Sequence, residues 1–426
     1  MSNLVQILSL DRTQKQYIGN LLDNLIEHLD LTETQYKRIK QAYNGVGTYL
    51  AESYESILKG AVIYSQGSVR LNTTVKPKGS DQYDVDLICY LPNAGAASGW
   101  EILETIRKRL DNHGTYREML SPLPRGFRIK YAGEYHLDIT PGVDWSFNPS
   151  EENHPLWVTD VNNEWKESNP AGYATWFDKV TEKKPRYNLF KVAANESYSV
   201  ADSVRPLPDH TQKKLLNRIV QICKRHRDVW ALEKGRKYVD FKPISAIITT
   251  LAAHAYSKIC DERRTYDTNL DVIIDVLTLM PSFIKLEGGI YQVLNPSMVE
   301  ENFAEKWNIK EDRKGERLRN CFFQWYQAAL LSFTEIGSSD GEDQLLESLS
   351  KSFGKNPIQA IHKAMVHRIS NARSENNLSV LTGTGALIIG QTANAASSLQ
   401  SVPSNTFYGS SAVTPVTIRK NTFFGS

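Results

Sequence analysis

The chain has 426 residues, a formal net charge of +2 at neutral pH, 41% hydrophobic residues and four cysteines. This length supports a sizeable core shared between two lobes, the apolar content is that of an ordinary globular protein, and the near-neutral charge excludes strong long-range attraction for a polyanion. No apolar run reaches the roughly 18 residues of a membrane span, and the start, Met1-Ser2-Asn3-Leu4, lacks the charged and apolar blocks of a signal peptide, so a cytosolic protein is expected.

Residues 1–60 read as an N-terminal helical segment. Leu21, Leu22, Leu25, Ile26 and Leu29 fall on one helical face, and Thr32-Glu33-Thr34-Gln35 matches a capping box that starts the next helix, expected to be the long one that braces both lobes. Residues 61–210 read as a sheet followed by a crossover, with a helix inserted near Glu101 to Leu110. The sheet opens on Gln66-Gly67-Ser68, a turn suited to cradling phosphate. Val85 to Tyr90 is rich in β-branched and aromatic residues and is closed by Pro92, which predicts a strand. In a strand, residues i and i+2 share a face, so Asp84 and Asp86 stand side by side, roughly 6.5 to 7 Å apart at the backbone. Carboxylates at that spacing suit a pair of divalent ions about 3.5 to 4 Å apart, which clamp the attacking and leaving oxygens of a phosphoryl displacement. Val85, Leu87 and Cys89 turn to the core. Such sites need a further acid. In Glu134-Tyr135-His136-Leu137-Asp138-Ile139-Thr140, the residues Tyr135, Leu137 and Ile139 form an apolar face and Asp138 points to the other, making it the candidate.

The stretch 146–210, rich in Asn, Pro and Trp, reads as a crossover wrapping the surface. Residues 211–370 read as a helical lobe. Leu215, Ile219, Ile222, Cys223 and Trp230 recur at helical spacing as a buried stripe, and Asn217, Gln221, Lys224 and Asp228 lie on another ridge, from which Lys224 leaves the core. Pro243 can begin a second helix with Ser245 in its first turn, where free backbone amides and a hydroxyl suit a terminal phosphate. Cys89, Cys223, Cys260 and Cys321 stand isolated in apolar contexts and read as reduced core residues, with no zinc ribbon. The basic clusters Arg107 to Arg109, Lys183 to Arg186, Lys213 to Arg227 and Arg313 to Arg319 read as solvated helix faces. From 371 to 426 the composition shifts to Ser, Thr, Gly, Ala and Asn and predicts a disordered tail. Within it Asn405-Thr406-Phe407-Tyr408-Gly409-Ser410 recurs as Asn421-Thr422-Phe423-Phe424-Gly425-Ser426, the pattern of a linear motif read by a partner.

Gly-Ser, then Asp-x-Asp, then a single Asp on a later strand resembles the polymerase-β-like nucleotidyltransferases, and more narrowly the bacterial CD-NTases, relatives of cyclic GMP-AMP synthase in anti-phage CBASS systems. Leu216 to Asp228, Lys242-Pro243-Ile244-Ser245, and Asn295-Pro296 followed by Glu301-Asn302-Phe303-Ala304-Glu305-Lys306-Trp307 extend the resemblance over about residues 60 to 355. It implies an α+β, two-lobed fold: a catalytic mixed β-sheet plus a helical C-terminal lobe. The implied activity is Mg²⁺-dependent synthesis, from ATP and other nucleoside triphosphates, of a purine-containing cyclic di- or trinucleotide. A template-free transferase acting on RNA or a small acceptor is the alternative. In this reading Asp84, Asp86 and Asp138 bind two Mg²⁺, with Mn²⁺ as a substitute, and Gln66, Gly67, Ser68, Lys224 and Ser245 bind the nucleotide. A lone helical lysine is ordinarily solvated, so it is the resemblance that gives Lys224 its role. The implied partners are an accessory protein that conjugates the tail, as a ubiquitin-transfer-like enzyme does, or clasps it, as a HORMA protein does, and a separate effector that reads the product. Activation by nucleic acid is not expected.

Overall fold

Alternation of apolar and polar residues builds a seven-stranded sheet, in a computed structural model that describes residues 10, 12–78, 82–131, 133, 135–145, 153–162, 164–188, 213–339, 341–381, 387–389 and 399–402. Its strands are β1 (Val62–Gln66), β2 (Tyr83–Tyr90), β3 (Leu120–Leu123), β4 (Gly126–Tyr131), β5 (Tyr135–Asp144), β6 (Leu156–Asp160) and β7 (Glu164–Ser168). The order is β1-β2-β5-β4-β3, with β6 paired to β5 and β7 to β6. Only β2 and β5 pair in parallel within this sheet; the mixed sheet is the one expected.

Helix α1 spans Arg12–Leu29 and buries Leu21, Leu22, Leu25, Ile26 and Leu29, the predicted face. Helix α2, Glu33–Ala51, starts at the predicted capping box: the Gln35 amide donates to Thr32 Oγ1 at 3.3 Å and the Thr32 amide to Gln35 Oε1 at 3.0 Å. It packs Ile39, Tyr43, Val46 and Leu50 into one cluster with Val85, Leu87, Cys89, Leu137 and Ile139. Burying a side chain of this kind stabilises the fold by about 1.5 to 3 kcal/mol. The one-turn helix α3 is Gly67–Arg70, and the predicted inserted helix, α4, is Gly99–Asp111, capped by Ser98 and Glu101 and buried through Ile102, Ile106 and Leu110. A short α5 follows at Gly114–Met119.

The stretch expected to wrap the surface instead extends the sheet. Strands β6 and β7 form a hairpin, and α6 (Pro170–Thr181) follows, capped by Asn169. Tyr64, Ile88, Leu156, Val158 and Ala171 make a second cluster. The short apolar run Leu156-Trp157-Val158 was diluted by the Asn- and Pro-rich composition around it.

The helical region contains α7 (Leu215–Lys234), α8 (Arg236–Phe241), α9 (Ser245–Asp261), α10 (Asn269–Leu279), α11 (Lys314–Gly337), α12 (Glu342–Phe353) and α13 (Lys355–Ser374). Contacts divide the chain into one unit of Leu29–Tyr266 with Asp275–Trp325, and another of Met1–His28, Asp267–Ile274 and Tyr326–Ser426. In the latter, a buried Lys15–Asp271 ion pair closes at 2.8 Å and Tyr17 donates to Glu342 at 2.9 Å. The same unit corrects the expectation that order ends at 371: Leu378–Leu381, Leu387–Ile389 and Leu399–Ser401 form a three-stranded antiparallel sheet with Leu378 buried. Leu378–Leu381 and Leu387–Ile389 are short, largely apolar runs, too brief to register against the polar average of the tail. The repeats Asn405–Ser410 and Asn421–Ser426 lie outside the described residues. No helix among the described residues is long and apolar enough to cross a membrane. Cys89, Cys223 and Cys321 are buried free thiols, and Cys260 is only partly buried.

Gly126 decides whether β4 can lie against β5. A Cβ there would sit 1.9 Å from the Ile139 carbonyl oxygen, inside the ladder that pairs Phe127 with Ile139. Gly126→Ala is expected to cost at least about 2 kcal/mol, read as a lower thermal midpoint. An unchanged midpoint would show that the ladder yields at this point.

Candidate active site

Strand alternation and register bring the acids together. On β2, Asp84 and Asp86 share a face while Val85, Leu87 and Cys89 are fully buried on the other. The parallel register with β5 sets Asp86 opposite Asp138 and Asp84 opposite His136, and the antiparallel register with β1 sets Gln66 opposite Asp86. The chain then leaves β1 through Gly67 directly above Asp86. Gly67 has φ +62°, and a Cβ on it would lie 2.2 Å from Asp86 Oδ2, so both conformation and space require glycine. The α3 turn continues to Thr73, whose amide donates to the Ser68 carbonyl at 2.9 Å, and Thr74, whose hydroxyl meets that of Ser68 at 3.4 Å.

Helix α7 holds that loop by its carbonyls. Asn217 Nδ2 donates to Leu71 O at 2.8 Å, Lys224 Nζ to Thr73 O at 2.7 Å, Gln221 Nε2 to Thr74 O at 2.6 Å and Arg225 Nη1 to Lys76 O at 3.3 Å. Of the polar ridge read from the sequence, Asn217, Gln221 and Lys224 are buried and Asp228 is partly so, and Lys224 does not extend away from the core: its ammonium is anchored beside the Gly-Ser turn. Of the apolar stripe, Ile219, Ile222, Cys223 and Trp230 are buried and Leu215 is only partly so. Ser245 is the first residue of α9, with Ile244 as its cap, and Arg227 Nη1 donates to Ser245 Oγ and to Pro243 O, each at 3.0 Å. Gln66, Gly67, Ser68, Lys224 and Ser245 line one cavity of about 180 Å³, with Tyr173 and Phe303 as its aromatic wall. Glu301 lines it as well, fixed by Asn295 Nδ2 at 2.7 Å, Ser168 Oγ at 3.0 Å and the Asn169 amide at 3.2 Å.

The sequence reading missed Arg128. It stands on β4 opposite Asp138, donates from Nε and Nη2 to the two oxygens of Asp138, each at 2.7 Å, and from Nη2 to Asp84 Oδ1 at 3.2 Å. Alternation in Phe127-Arg128-Ile129 puts it on a polar face, but that β4 lies beside β5 is not written in either segment. Tyr173, on α6, was missed for the same reason. The basic clusters are largely engaged nearby: Arg107 with Glu104 and Asp111, Lys183 with Asp261, Lys213 with Asp30, and Arg313 with Glu316.

Residues 17–180 match the Second Messenger Oligonucleotide or Dinucleotide Synthetase domain. The matched stretch holds Gly67, Ser68, Asp84, Asp86 and Asp138. The chain is similar to the c-di-GMP synthase of Roseivirga ehrenbergii, 27% identical over 404 residues that cover 93% of this chain and 98% of the relative. Its fold is shared with the Bradyrhizobium diazoefficiens CD-NTase CdnG, solved in complex with GTP, at a TM-score of 0.59 and 20% identity, covering 82% of this chain and 98% of that one. The fold is likewise that of CdnC from E. coli MS115-1, solved with ATP, at a TM-score of 0.52 and 12% identity, covering 81% and 98% of the two chains.

CD-NTases use divalent metal ions, and the donor chemistry here fits them. Carboxylate oxygens from adjacent strands suit a hard cation, although among the described residues no three acidic, imidazole or thiol side chains converge to hold an ion as they stand. Arg128 supplies the positive charge that Asp138 and Asp84 touch. Burial, then Asp138 and Asp84, pushes the Asp86 carboxyl up to about 7. Burial, then the nearby Arg227, pushes the Lys224 ammonium down to about 7. The His226 imidazole is driven down to about 4 by burial.

The Asp86 shift has a stability signature. Between the ordinary carboxylate range and about pH 7, the folded protein keeps a proton that the unfolded chain releases, so this group's contribution to stability falls as pH rises through that window. Asp86→Asn removes the contribution. Measured with chelator present, the thermal midpoint of Asp86→Asn minus that of wild type is expected to grow between about pH 5 and about pH 7.5. A difference that stays constant over that range would contradict the assigned environment of Asp86.

Proposed function

We propose that this chain is a CD-NTase that joins nucleoside triphosphates into a cyclic dinucleotide second messenger, releasing pyrophosphate as each phosphodiester forms. The observation that carries the reading is the junction at Gly67, where an acidic cluster on β2 and β5 adjoins a cavity bounded by Ser68, Lys224 and Ser245. Phosphoryl transfer asks chiefly for positioning and charge neutralisation, and this junction offers both. Asp84, Asp86 and Asp138 would hold two Mg²⁺ ions, which when bound neutralise triphosphate charge and polarise the reacting phosphate. Asp138 accepts a hydrogen bond from the acceptor hydroxyl and orients it. The amide and hydroxyl of Ser68 face the terminal phosphates, Lys224 exchanges the Thr73 carbonyl for a phosphate oxygen, and the Ser245 hydroxyl, held by Arg227, donates from the far side. Tyr173 and Phe303, in edge contact at 5.5 Å, give a base an apolar wall.

Similarity to a c-di-GMP synthase along nearly the whole chain favours GTP over ATP and two nucleotides over three. A transferase acting on RNA is the weaker reading, since Arg107, Lys183 and Lys213 of the basic clusters are held in ion pairs within the protein. Purified protein supplied with labelled GTP, ATP, CTP and UTP in Mg²⁺ should yield a phosphatase-resistant product containing guanine, whose linkage a specific nuclease reports; a purely linear or RNA-attached product would reject the proposal. Asp84→Asn and Asp86→Asn should each abolish product without unfolding the protein. Lys224→Ala should weaken nucleotide binding roughly ten- to hundredfold, the value of one charge-assisted hydrogen bond. Unchanged affinity would remove Lys224 from the phosphate site.

The duplicated motif at Asn405–Ser410 and Asn421–Ser426 supports a separate role in engaging an accessory protein, as does the solved complex of the CdnC fold relative with a HORMA protein, 13% identical at a TM-score of 0.53. Deleting Asn421 to Ser426 is expected to leave synthesis intact. Clasping by a partner should persist through the first copy, Asn405–Ser410, and be lost only when both copies are removed. Loss of synthesis on this deletion would contradict a purely recruiting tail.

A further inference from the structure

Arg128 makes the same contacts that an incoming cation would need. Its fork takes both oxygens of Asp138 at 2.7 Å, a bidentate geometry that is among the strongest charge-assisted arrangements, and it reaches Asp84 at 3.2 Å. Asp138 is the most buried of the three interacting side chains, 15% exposed against 26% for Arg128 and 57% for Asp84. Asp86, one strand over, is the acid that Arg128 does not bond. The guanidinium thus satisfies two acids and leaves the third in the field of both.

We propose that Arg128 is a resident counter-cation that competes with divalent ions for Asp84 and Asp138, so that it stabilises the empty acidic cluster and sets how much metal is needed to fill it. This rests on the reading of Asp84, Asp86 and Asp138 as a metal site. The competition follows from valence and geometry. A carboxylate whose two oxygens are engaged by a guanidinium offers an ion only its remaining lone pairs beside a fixed positive charge, and the ion's binding free energy is reduced by that repulsion or by the loss of a guanidinium bond. With Arg128 gone, three carboxylates face one another across adjacent strands with less compensation, which raises their attraction for a cation and lowers the stability of the ion-free fold. A residue whose task is to bind nucleotide would behave differently: its loss would weaken nucleotide binding and leave metal affinity in the absence of nucleotide unchanged.

The test is a Mn²⁺ titration of the full chain without nucleotide, followed by electron paramagnetic resonance, for wild type, Arg128→Met and Arg128→Lys, together with thermal midpoints in chelator and in Mn²⁺. Arg128→Met is expected to bind Mn²⁺ at least about tenfold more tightly than wild type, the worth of a strong charge-assisted contact. Its midpoint in chelator should fall, and its rise on adding Mn²⁺ should exceed that of wild type. Arg128→Lys, which keeps the charge and loses the fork, should fall between the two. Equal or weaker Mn²⁺ binding by a cooperatively folded Arg128→Met overturns the competition while leaving the metal site in place. If Arg128→Met does not fold, Arg128→Lys decides: tighter binding than wild type supports the proposal, and equal or weaker binding overturns it. Absence of Mn²⁺ binding by wild type would overturn the metal reading and the competition together.

Discussion

Repulsion among like charges is the constraint around which this protein is arranged. Three carboxylates occupy adjacent positions on β2 and β5, and the parallel register between those strands admits no other spacing. A cluster of this kind is unfavourable in the folded state, and its consequence is visible at Asp86, whose carboxyl is pushed up to about 7 by burial and its two neighbours. The surrounding structure offsets the cost in identifiable ways. Arg128 crosses from β4 to neutralise Asp138 and Asp84, and Gly67, lacking a Cβ, lets the backbone close over Asp86 where any side chain would collide. The hydrophobic side of the same strands supplies the compensation: Val85, Leu87, Leu137 and Ile139 are almost wholly buried against α2.

Positive charge is handled in the same manner on the other side of the cavity. Lys224, Arg225 and Arg227 are buried on one helix, and each donates to a carbonyl or hydroxyl rather than to solvent. Burying an ammonium costs far more than it returns unless its hydrogen bonds are made, and for Lys224 the Thr73 carbonyl makes one. The contacts of Asn217, Gln221, Lys224 and Arg225 tie the backbone from Leu71 to Lys76 to α7, so the loop that follows Gly67 and Ser68 is held at both ends. A cation poised on a neutral carbonyl beside a phosphate-sized cavity can exchange that partner for an anionic one without rearranging the helix.

How much of this was legible in the sequence depended on the range of the interaction. The alternation of Asp84 and Asp86 against Val85 and Leu87 is a local property of the chain, and so are the capping box at Thr32 and the stripe on α1. Gly67 announced itself as a turn, though not that Asp86 was the reason for it. Non-local features were hidden. Arg128 reads as one more polar residue until β4 is known to lie beside β5, and the polar ridge of α7 reads as solvated until residues 71–76 are laid across it. Composition misled twice, at Leu156 to Asp160 and at Leu378 to Leu381, because short apolar strands were averaged with the polar loops around them.

The central claim is that the acidic cluster and the cavity beside it form a single metal-assisted nucleotide site in which Arg128 competes with the metal for Asp138. A crystal structure of the full chain grown with Mn²⁺ and a non-hydrolysable GTP analogue, with anomalous scattering recorded for manganese, tests it most directly. The account requires manganese peaks at the carboxylates of Asp84 and Asp86, the triphosphate lying between Ser68 and Ser245, and at least one bond from Arg128 to Asp138 lengthened or broken. Manganese absent from these carboxylates, or nucleotide bound elsewhere with the Arg128 fork still closed on Asp138, would contradict it.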